Sequence, residues 1–215
     1  MRLELRLCED ILAAGETRVL SAARPRALYT VAGKFTANSR NVPADEGFVA
    51  SDGLTLVGGP EGATIWRWEL APENAPAEEN GSITKSVNPI SPESISDKLL
   101  LRLDSVAFPP GGCAFLHTHQ GPGIRCLLEG SIRIDTEGNS TSYGPGGSWF
   151  EAGPEPVFAQ ADKSIASRFI RAMVLPRTLM KTSSIRYVSE EDKSKPKSQS
   201  YRVFDEAKID GTSAV

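Results

Sequence analysis

Histidine is the scarcest informative residue of this sequence, whose 215 residues contain only His117 and His119. Cysteine is almost as rare. Cys8, Cys113 and Cys126 lack the paired C-x-x-C spacing of structural zinc sites, and they are too few and too scattered for a disulfide framework. We therefore expect three free thiols in a reducing compartment.

An excess of positive charge and long apolar runs are also missing. The chain carries 24 lysines and arginines against 27 aspartates and glutamates, and no basic stripe is available to neutralise phosphates. No apolar run approaches the roughly 20 residues that span a bilayer. Residues 1–10 alternate charges with leucines and do not form a secretory apolar segment. These absences predict a cytoplasmic protein with no nucleic-acid partner and no membrane partner.

Short alternating segments dominate the chain, which is divided by 19 glycines and 15 prolines. Within residues 64–70, Trp66 and Trp68 share one strand face, and Arg67 and Glu69 share the other. Many short strands separated by turn residues predict an all-β fold, either an antiparallel sandwich or a barrel. The same alternation recurs in residues 99–104, 132–135, 149–151 and 169–175.

Composition divides the chain into five predicted parts. The stretch before the second group of strands is rich in Pro, Glu, Asn and Ser, which is typical of a long loop. After the last strand the chain turns polar, and its final apolar residues need a surface on their own barrel or on a second subunit. The parts are an N-terminal segment (1–23), N-terminal strands that pack on the barrel (24–72), a loop (73–98), the barrel core (99–176) and a C-terminal arm (177–215).

The spacing of the two histidines points to metal chemistry. Residues i and i+2 of a strand project from the same face, so His117 and His119 together could hold one metal ion. Cys113 and Cys126 flank the pair in sequence, which leaves a thiolate ligand or a Cys-His nucleophile open as alternatives. Any metal site that uses histidine must include this pair.

The residues around the pair resemble the first motif of the cupin family, G-x5-H-x-H-x3-E-x6-G. Gly111, His117, His119 and Gly130 stand at the expected spacing, and residues 144–156 resemble a damaged second motif. The resemblance implies an antiparallel jelly-roll β-barrel, here with an N-terminal strand extension and a C-terminal arm. It also implies a divalent metal ion (iron, manganese, nickel or zinc) and, by family analogy, a homodimer.

Two of the four ligands typical of metal-binding cupins are replaced in this chain. Gly123 occupies the glutamate position of the first motif, and the histidine position of the second motif falls on Pro156 or Val157. Gln160 is a candidate metal ligand through its amide oxygen, and Glu151 is a better one if it points inward. Gln120 and Tyr143 are more remote candidates. For each of them, a hydrogen-bonding role at the barrel mouth is the alternative.

Arg125 should share the inward strand face with the glutamate position of the motif. An arginine there could bind an anionic group of a small ligand, or it could form an internal salt bridge with Glu129 or Glu151. Trp149 and Phe150 could line the pocket as substrate-binding residues, although aromatic residues at strand spacing are more often plain core.

Two hypotheses for function follow from this resemblance. The first is a metal-dependent enzyme of dioxygenase, isomerase or lyase type that acts on a small anionic organic molecule, with Glu151 as its acid or base. The second is a non-catalytic or metal-free cupin that binds or senses a small molecule. The two missing ligands favour the second hypothesis.

Overall fold

The chain forms two compact units of antiparallel strands in a computed structural model that describes residues 2–20, 24–76, 81–90 and 98–209. Unit 1 contains Met1–Leu103 and Phe204–Val215, and unit 2 contains Asp104–Val203. The prediction of an all-β fold is confirmed. No helix in the described ranges is long and apolar enough to cross a membrane. Cys8, Cys113 and Cys126 are thiols that form no disulfide with one another.

Unit 1 is built on a seven-stranded sheet. Its strand order is β4-β3-β6-β1-β7, and in addition β2 pairs with β6 and β5 pairs with β3. The long strand β6 therefore organises the sheet, because three other strands pair with it. The strands are β1 (Leu3–Leu12), β2 (Thr17–Leu20), β3 (Arg26–Ala37), β4 (Arg40–Pro43), β5 (Gly47–Ala50), β6 (Leu54–Pro72) and β7 (Ser82–Ile90).

One of the predicted parts differs from the structure of unit 1. The predicted loop 73–98 contains strand β7, which pairs with β1 and carries the apolar residues Ile83, Val87 and Ile90. Local composition does not reveal this pairing, because the partner strand lies far away in the sequence. The N-terminal segment 1–23 contains β1 and β2, which both pair with β6. Residues 21–23, 77–80 and 91–97 of these parts lie outside the described residues.

The polar face of β6 is buried in unit 1. Arg67 lies between two carboxylates, with its Nε 2.7 Å from Asp10 Oδ2 and its Nη1 3.0 Å from Glu69 Oε2. Arg26 Nε is 2.9 Å from the same Glu69 oxygen. Each of these four side chains is at most 1% exposed. Alternation correctly predicts which residues of β6 share a face. It does not predict that the charged face is buried as well, which is possible because the opposite charges on that face neutralise one another.

Unit 2 contains two five-stranded sheets, which give it a jelly-roll-like architecture. The first strands of these sheets are β8 (Leu99–Phe108), which belongs to unit 2 from Asp104 onward, β9 (Cys113–His119), β10 (Gly123–Glu129), β11 (Ile132–Thr136) and β12 (Asn139–Tyr143). The later strands are β13 (Ser148–Glu151), β14 (Val157–Ala161), β15 (Ser167–Pro176), β16 (Ile185–Tyr187) and β17 (Ser200–Ile209), which belongs to unit 2 up to Val203. The sheet orders are β13-β10-β15-β8-β17 and β12-β11-β14-β9-β16.

The predicted C-terminal arm is more ordered than its composition indicates. It contains a 3₁₀ turn (Arg177–Leu179), strand β16, the short helix α1 (Glu190–Ser194) and strand β17. β16 pairs with β9 in register, so that Tyr187 is opposite His117. The arm thus packs on its own chain, which is one of the two arrangements predicted for it.

The last glycine of the first motif has a steric function. Gly130 follows β10 with a φ of +83°, and a Cβ atom built there would lie 2.2 Å from the carbonyl oxygen of Ala166. Only glycine combines this left-handed conformation with such a close backbone approach. The glycine at the end of the motif is therefore required by the turn that leads from β10 into β11.

Candidate functional site

The two histidines lie together in the interior of unit 2. They are 5% and 6% exposed, and their Nε2 atoms are 3.2 Å apart. Their rings are nearly perpendicular, at 85°. Strand β9 places both side chains on one face, as the alternation predicts, so the chain's whole histidine content is concentrated at one point.

The hydrogen bond of His117 determines which of its nitrogens is free. His117 Nδ1 lies 2.7 Å from the carbonyl oxygen of Phe115, which can only accept a hydrogen bond. Nδ1 therefore carries the proton, and the lone pair of Nε2 is directed toward His119. His119 Nδ1 is buried and has no hydrogen-bond partner among the described residues.

Glu151 brings a carboxylate to the histidines from the neighbouring strand. In the β10–β13 pairing, Glu151 is directly opposite Gly123, the glutamate position of the first motif. Its Oε2 lies 3.3 Å from His119 Nε2, and its Oε1 accepts a hydrogen bond of 2.9 Å from Trp149 Nε1. Glu151 on β13 thus supplies, from the paired strand, the carboxylate that position 123 on β10 lacks.

Arg125 pairs with this carboxylate. The guanidinium is 1% exposed, with Nη2 2.7 Å from Glu151 Oε2 and Nη1 donating to the Gly123 carbonyl at 2.6 Å. Nη2 makes the ion pair by distance, without the alignment of a hydrogen bond. Of the two salt bridges predicted as alternatives to ligand binding, the structure contains the one with Glu151. Glu129 pairs instead with Arg168 at 3.1 Å, because a bulge follows Leu127.

Sequence reasoning missed a second buried arginine beside the histidines. Arg171 on β15 is directly opposite Arg125 and holds Asp104 with contacts of 2.6 and 3.2 Å. Its guanidinium carbon lies 5.9 Å from the ring centre of Tyr201. The only sequence signal was the alternation of Arg171 with the apolar residues of β15, which does not distinguish it from a surface arginine.

Two predicted site residues lie elsewhere. The amide of Gln160 donates to the carbonyls of Gly111 and Gly112 at 2.9 and 3.1 Å, on the strand face opposite to the cavity, so it is not a ligand beside the histidines. Phe150 alternates with Trp149 and Glu151, and these two, unlike Phe150, line the cavity. Strand alternation accounts for both differences.

The β9–β14 register identifies the residue at the missing histidine position. Val157 pairs with His117 and lines the same cavity, whereas Pro156 lines an outer groove. A valine side chain offers no ligand atom. The second motif therefore contributes apolar surface where metal-binding cupins have an imidazole.

Burial keeps both histidines neutral at pH 7. It lowers the pKa of His117, partly opposed by Glu151, and it lowers the pKa of His119 well below 6.5, with a further decrease from Arg125. Burial also lowers the pKa of Arg125 to about 10, against the opposing effect of Glu151. Arg125 thus remains cationic beside two neutral imidazoles.

Stability should fall as the pH decreases through the histidine range. Below the ordinary pKa of 6.5, the unfolded histidines bind protons that the folded ones do not, which favours the unfolded state. We expect the free energy of unfolding of chelator-treated protein to be about 1–2 kcal/mol lower at pH 5.5 than at pH 7. Urea titrations across this range measure it, with a His117→Gln/His119→Gln variant as control. An equal pH dependence in that variant would contradict the assignment.

The cavity around these groups is small. Its volume is about 20 Å³, and it is lined by His117, His119, Arg125, Glu151 and Arg171 together with aromatic and aliphatic side chains. A single water molecule needs roughly 10–15 Å³ by this measure. An organic ligand therefore does not fit unless the barrel opens.

The geometry of the histidine pair matches that of two protein ligands in a metal site whose other ligand positions are open. Adjacent ligands of an ion bound at about 2.1 Å are separated by about 3.0–3.4 Å, which matches the 3.2 Å between the Nε2 atoms. His117 Nδ1 donates a hydrogen bond to the Phe115 carbonyl oxygen, and metal-binding histidines are commonly oriented by a hydrogen bond of this kind. No group of three or more His, Cys, Asp and Glu side chains within the described ranges is arranged to hold a metal ion. Further ligands would come from water or from a bound molecule.

Comparison with solved structures identifies the fold. No family model and no curated protein sequence matches the chain. Bacillus subtilis oxalate decarboxylase, in a study of its Mn(II) centres, superposes with a TM-score of 0.60 at 11% identity, covering 89% of this chain and 73% of that one. Salicylate 1,2-dioxygenase from Pseudoaminobacter salicylatoxidans, with gentisate, gives 0.57 at 10% identity, covering 93% and 72%. AerE from Microcystis aeruginosa gives 0.55 at 14% identity, covering 81% and 88%.

These similarities and the strand topology define the class of the protein. It is an all-β protein with the cupin fold, as the motif around the two histidines predicts.

Proposed function

We propose that unit 2 binds a divalent metal ion through His117 and His119 and acts as an enzyme on a small anionic organic molecule. The observation that carries the proposal is the convergence of two neutral imidazole Nε2 atoms, 3.2 Å apart, in a buried cavity. Further support comes from the Mn(II) centres of oxalate decarboxylase, whose fold is similar. A metal ion bound here would supply Lewis-acid chemistry.

The residues around the histidines have distinct roles in this proposal. Glu151 lies within 3.3 Å of His119 Nε2 and is the acid or base that moves a proton. Arg125 holds that carboxylate in place through the 2.7 Å ion pair. Arg171, held by Asp104, places a second guanidinium in the lining of the cavity, and guanidinium N–H groups are donors suited to an anionic substrate. Trp149 donates to Glu151 and fixes its rotamer.

A metal-free cupin that binds a small molecule is the second candidate. It is favoured by the Arg125–Glu151 ion pair, which neutralises the carboxylate that a metal ion would need. A second argument is the buried His119 Nδ1, because a metal ion on Nε2 would require Nδ1 to carry a proton with no acceptor. In this candidate, His119 Nε2–H donates to His117 or Glu151.

Metal binding separates the two candidates. Calorimetric titration of chelator-treated protein with Mn²⁺, Co²⁺ and Zn²⁺ should show one site per chain, and His117→Ala should weaken binding at least 100-fold because only two protein imidazoles hold the ion. Cys113→Ala is the matched control on the same strand and should bind normally. Absence of stoichiometric binding to the unmodified protein would leave the metal-free candidate. The homodimer expected from the family resemblance stays a prediction.

A further inference from the structure

The two sheets of unit 2 meet at a seam between their edge strands. Tyr187 lies on β16, the edge of one sheet, and Tyr201 lies on β17, the edge of the other. Gln199 bridges them, donating from its Nε2 to both phenol oxygens at 3.3 and 3.0 Å. A single side-chain amide thus closes the seam.

The seam lies directly over the histidine cavity. The Tyr187 ring centre is 6.4 Å from that of His117, and Tyr201 lines the cavity. Gln199 is 8% exposed, and its buried Oε1 has no hydrogen-bond partner in the part of the chain that the structure describes. A buried acceptor without a partner weakens the closed state, because it is satisfied by water as soon as the seam opens.

Lys197 fastens the chain segment that carries Gln199. Its ammonium group donates to the carbonyls of Asp192, Lys193 and Lys195, and it lies 4.1 Å from the ring centre of Tyr187. These contacts link the segment to helix α1 and to the edge strand β16. The segment 195–199, which we call the strap and which ends where β17 begins, is therefore held mainly by polar and cation–π contacts.

Contacts of this type are easier to release than strand pairing. Before β17 begins, the strap contacts β9 through Ser198, whose hydroxyl accepts from the Cys113 amide at 2.9 Å and donates to its carbonyl at 3.0 Å. Ser198 is exposed, so water can replace both bonds. The strands that carry the histidines and arginines, in contrast, each pair with a neighbouring strand on both sides.

We propose that the strap is the entrance to the histidine cavity, held shut by Lys197 and by the Tyr187–Gln199–Tyr201 seam. A small organic ligand cannot fit the 20 Å³ cavity, so its entry requires release of the strap. The proposal rests on the proposed function only in assigning a ligand to the cavity. The route to the histidines is independent of any metal ion.

Diethyl pyrocarbonate tests the entrance without a ligand. The chain's only histidines lie behind the strap, so their modification, followed by mass spectrometry in chelator-treated protein, reports access to the cavity. Lys197→Met keeps the length of the side chain but removes its charge and its hydrogen bonds. We expect histidine modification to become about tenfold faster, given typical cation–π and charged hydrogen-bond energies. Gln199→Met should act in the same direction.

Two controls keep the proposal falsifiable. Lys193→Met removes an exposed lysine whose ammonium group, within the described ranges, pairs with Glu190 alone, and it should leave the rate unchanged. Hydrogen exchange on the same variants should show lost protection confined to residues 185–203.

Unchanged modification in both strap variants would overturn the proposal. So would a uniform loss of protection over all strands, since global unfolding would then explain the access. Neither outcome depends on metal binding, so failure here is distinct from failure of the proposed function.

Discussion

Replacing Glu151 with alanine is expected to lower the free energy of unfolding by about 3–5 kcal/mol. The loss is large because Arg125 is fully buried and would keep only the Gly123 carbonyl as a partner. At pH 7 the guanidinium is charged, because burial lowers its pKa only to about 10, and removing Glu151 leaves that buried charge unpaired. Urea denaturation of chelator-treated protein measures the change.

A double-mutant cycle separates this effect from simple loss of packing. Glu151→Gln keeps the shape and the hydrogen-bonding capacity of the side chain, and it should cost clearly less than Glu151→Ala. Adding Arg125→Met to Glu151→Ala should recover part of the stability, because the unpaired cation is removed. A Glu151→Ala variant within 1 kcal/mol of the unmodified protein would show that the ion pair is solvated and does not depend on burial.

Restoring glutamate at position 123 is expected to destabilise the protein, by about 2–3 kcal/mol, and not to complete a metal site. A Cβ atom there would lie 2.6 Å from the Ala172 carbonyl oxygen and 3.1 Å from Arg125 Nη1. The backbone oxygen cannot move aside without shifting β15. The family's glutamate is therefore excluded by the same strands that place Arg125 and Glu151.

The matched control for Gly123→Glu is Gly144→Glu. A Cβ atom at Gly144 meets no atom within 4 Å, so the same substitution should be nearly neutral there. Thermal melting and Co²⁺ titration of both variants provide the measurements. A Gly123→Glu variant that melts like the Gly144 variant and binds Co²⁺ more tightly than the unmodified protein would refute the steric argument.

Periodicity and motif spacing were sufficient to predict the fold and the centre of the site. Alternation along β9 predicts that His117 and His119 share one face, and the spacing from Gly111 to Gly130 predicts the cupin fold. Alternation from position 123 also directed Arg125 into the barrel. These predictions depend only on residues close together in the chain, where strand geometry is regular.

The remaining features depend on pairings between distant residues. The choice of Val157 over Pro156 required the register of β14 against β9. Gln160 was a candidate because it occupies the asparagine position when the second motif is counted from Gly153, and its side chain lies on the other face of β14. Arg171 and the buried face of β6 were missed for a related reason. Charged residues become interior only when partners from other strands neutralise them, and local composition does not reveal those partners.

The chain order of unit 1 has a consequence for synthesis. Its described part ends with residues 204–209, which follow the whole of unit 2 in sequence. The Phe204 ring lies 5.3 Å from that of Tyr29, and Asp205 accepts from the amide of Val49 at 2.9 Å. Unit 1 therefore acquires these contacts only after unit 2 has left the ribosome. Because domains generally fold as units while the chain emerges, unit 1 begins to emerge before unit 2 and receives these contacts after it.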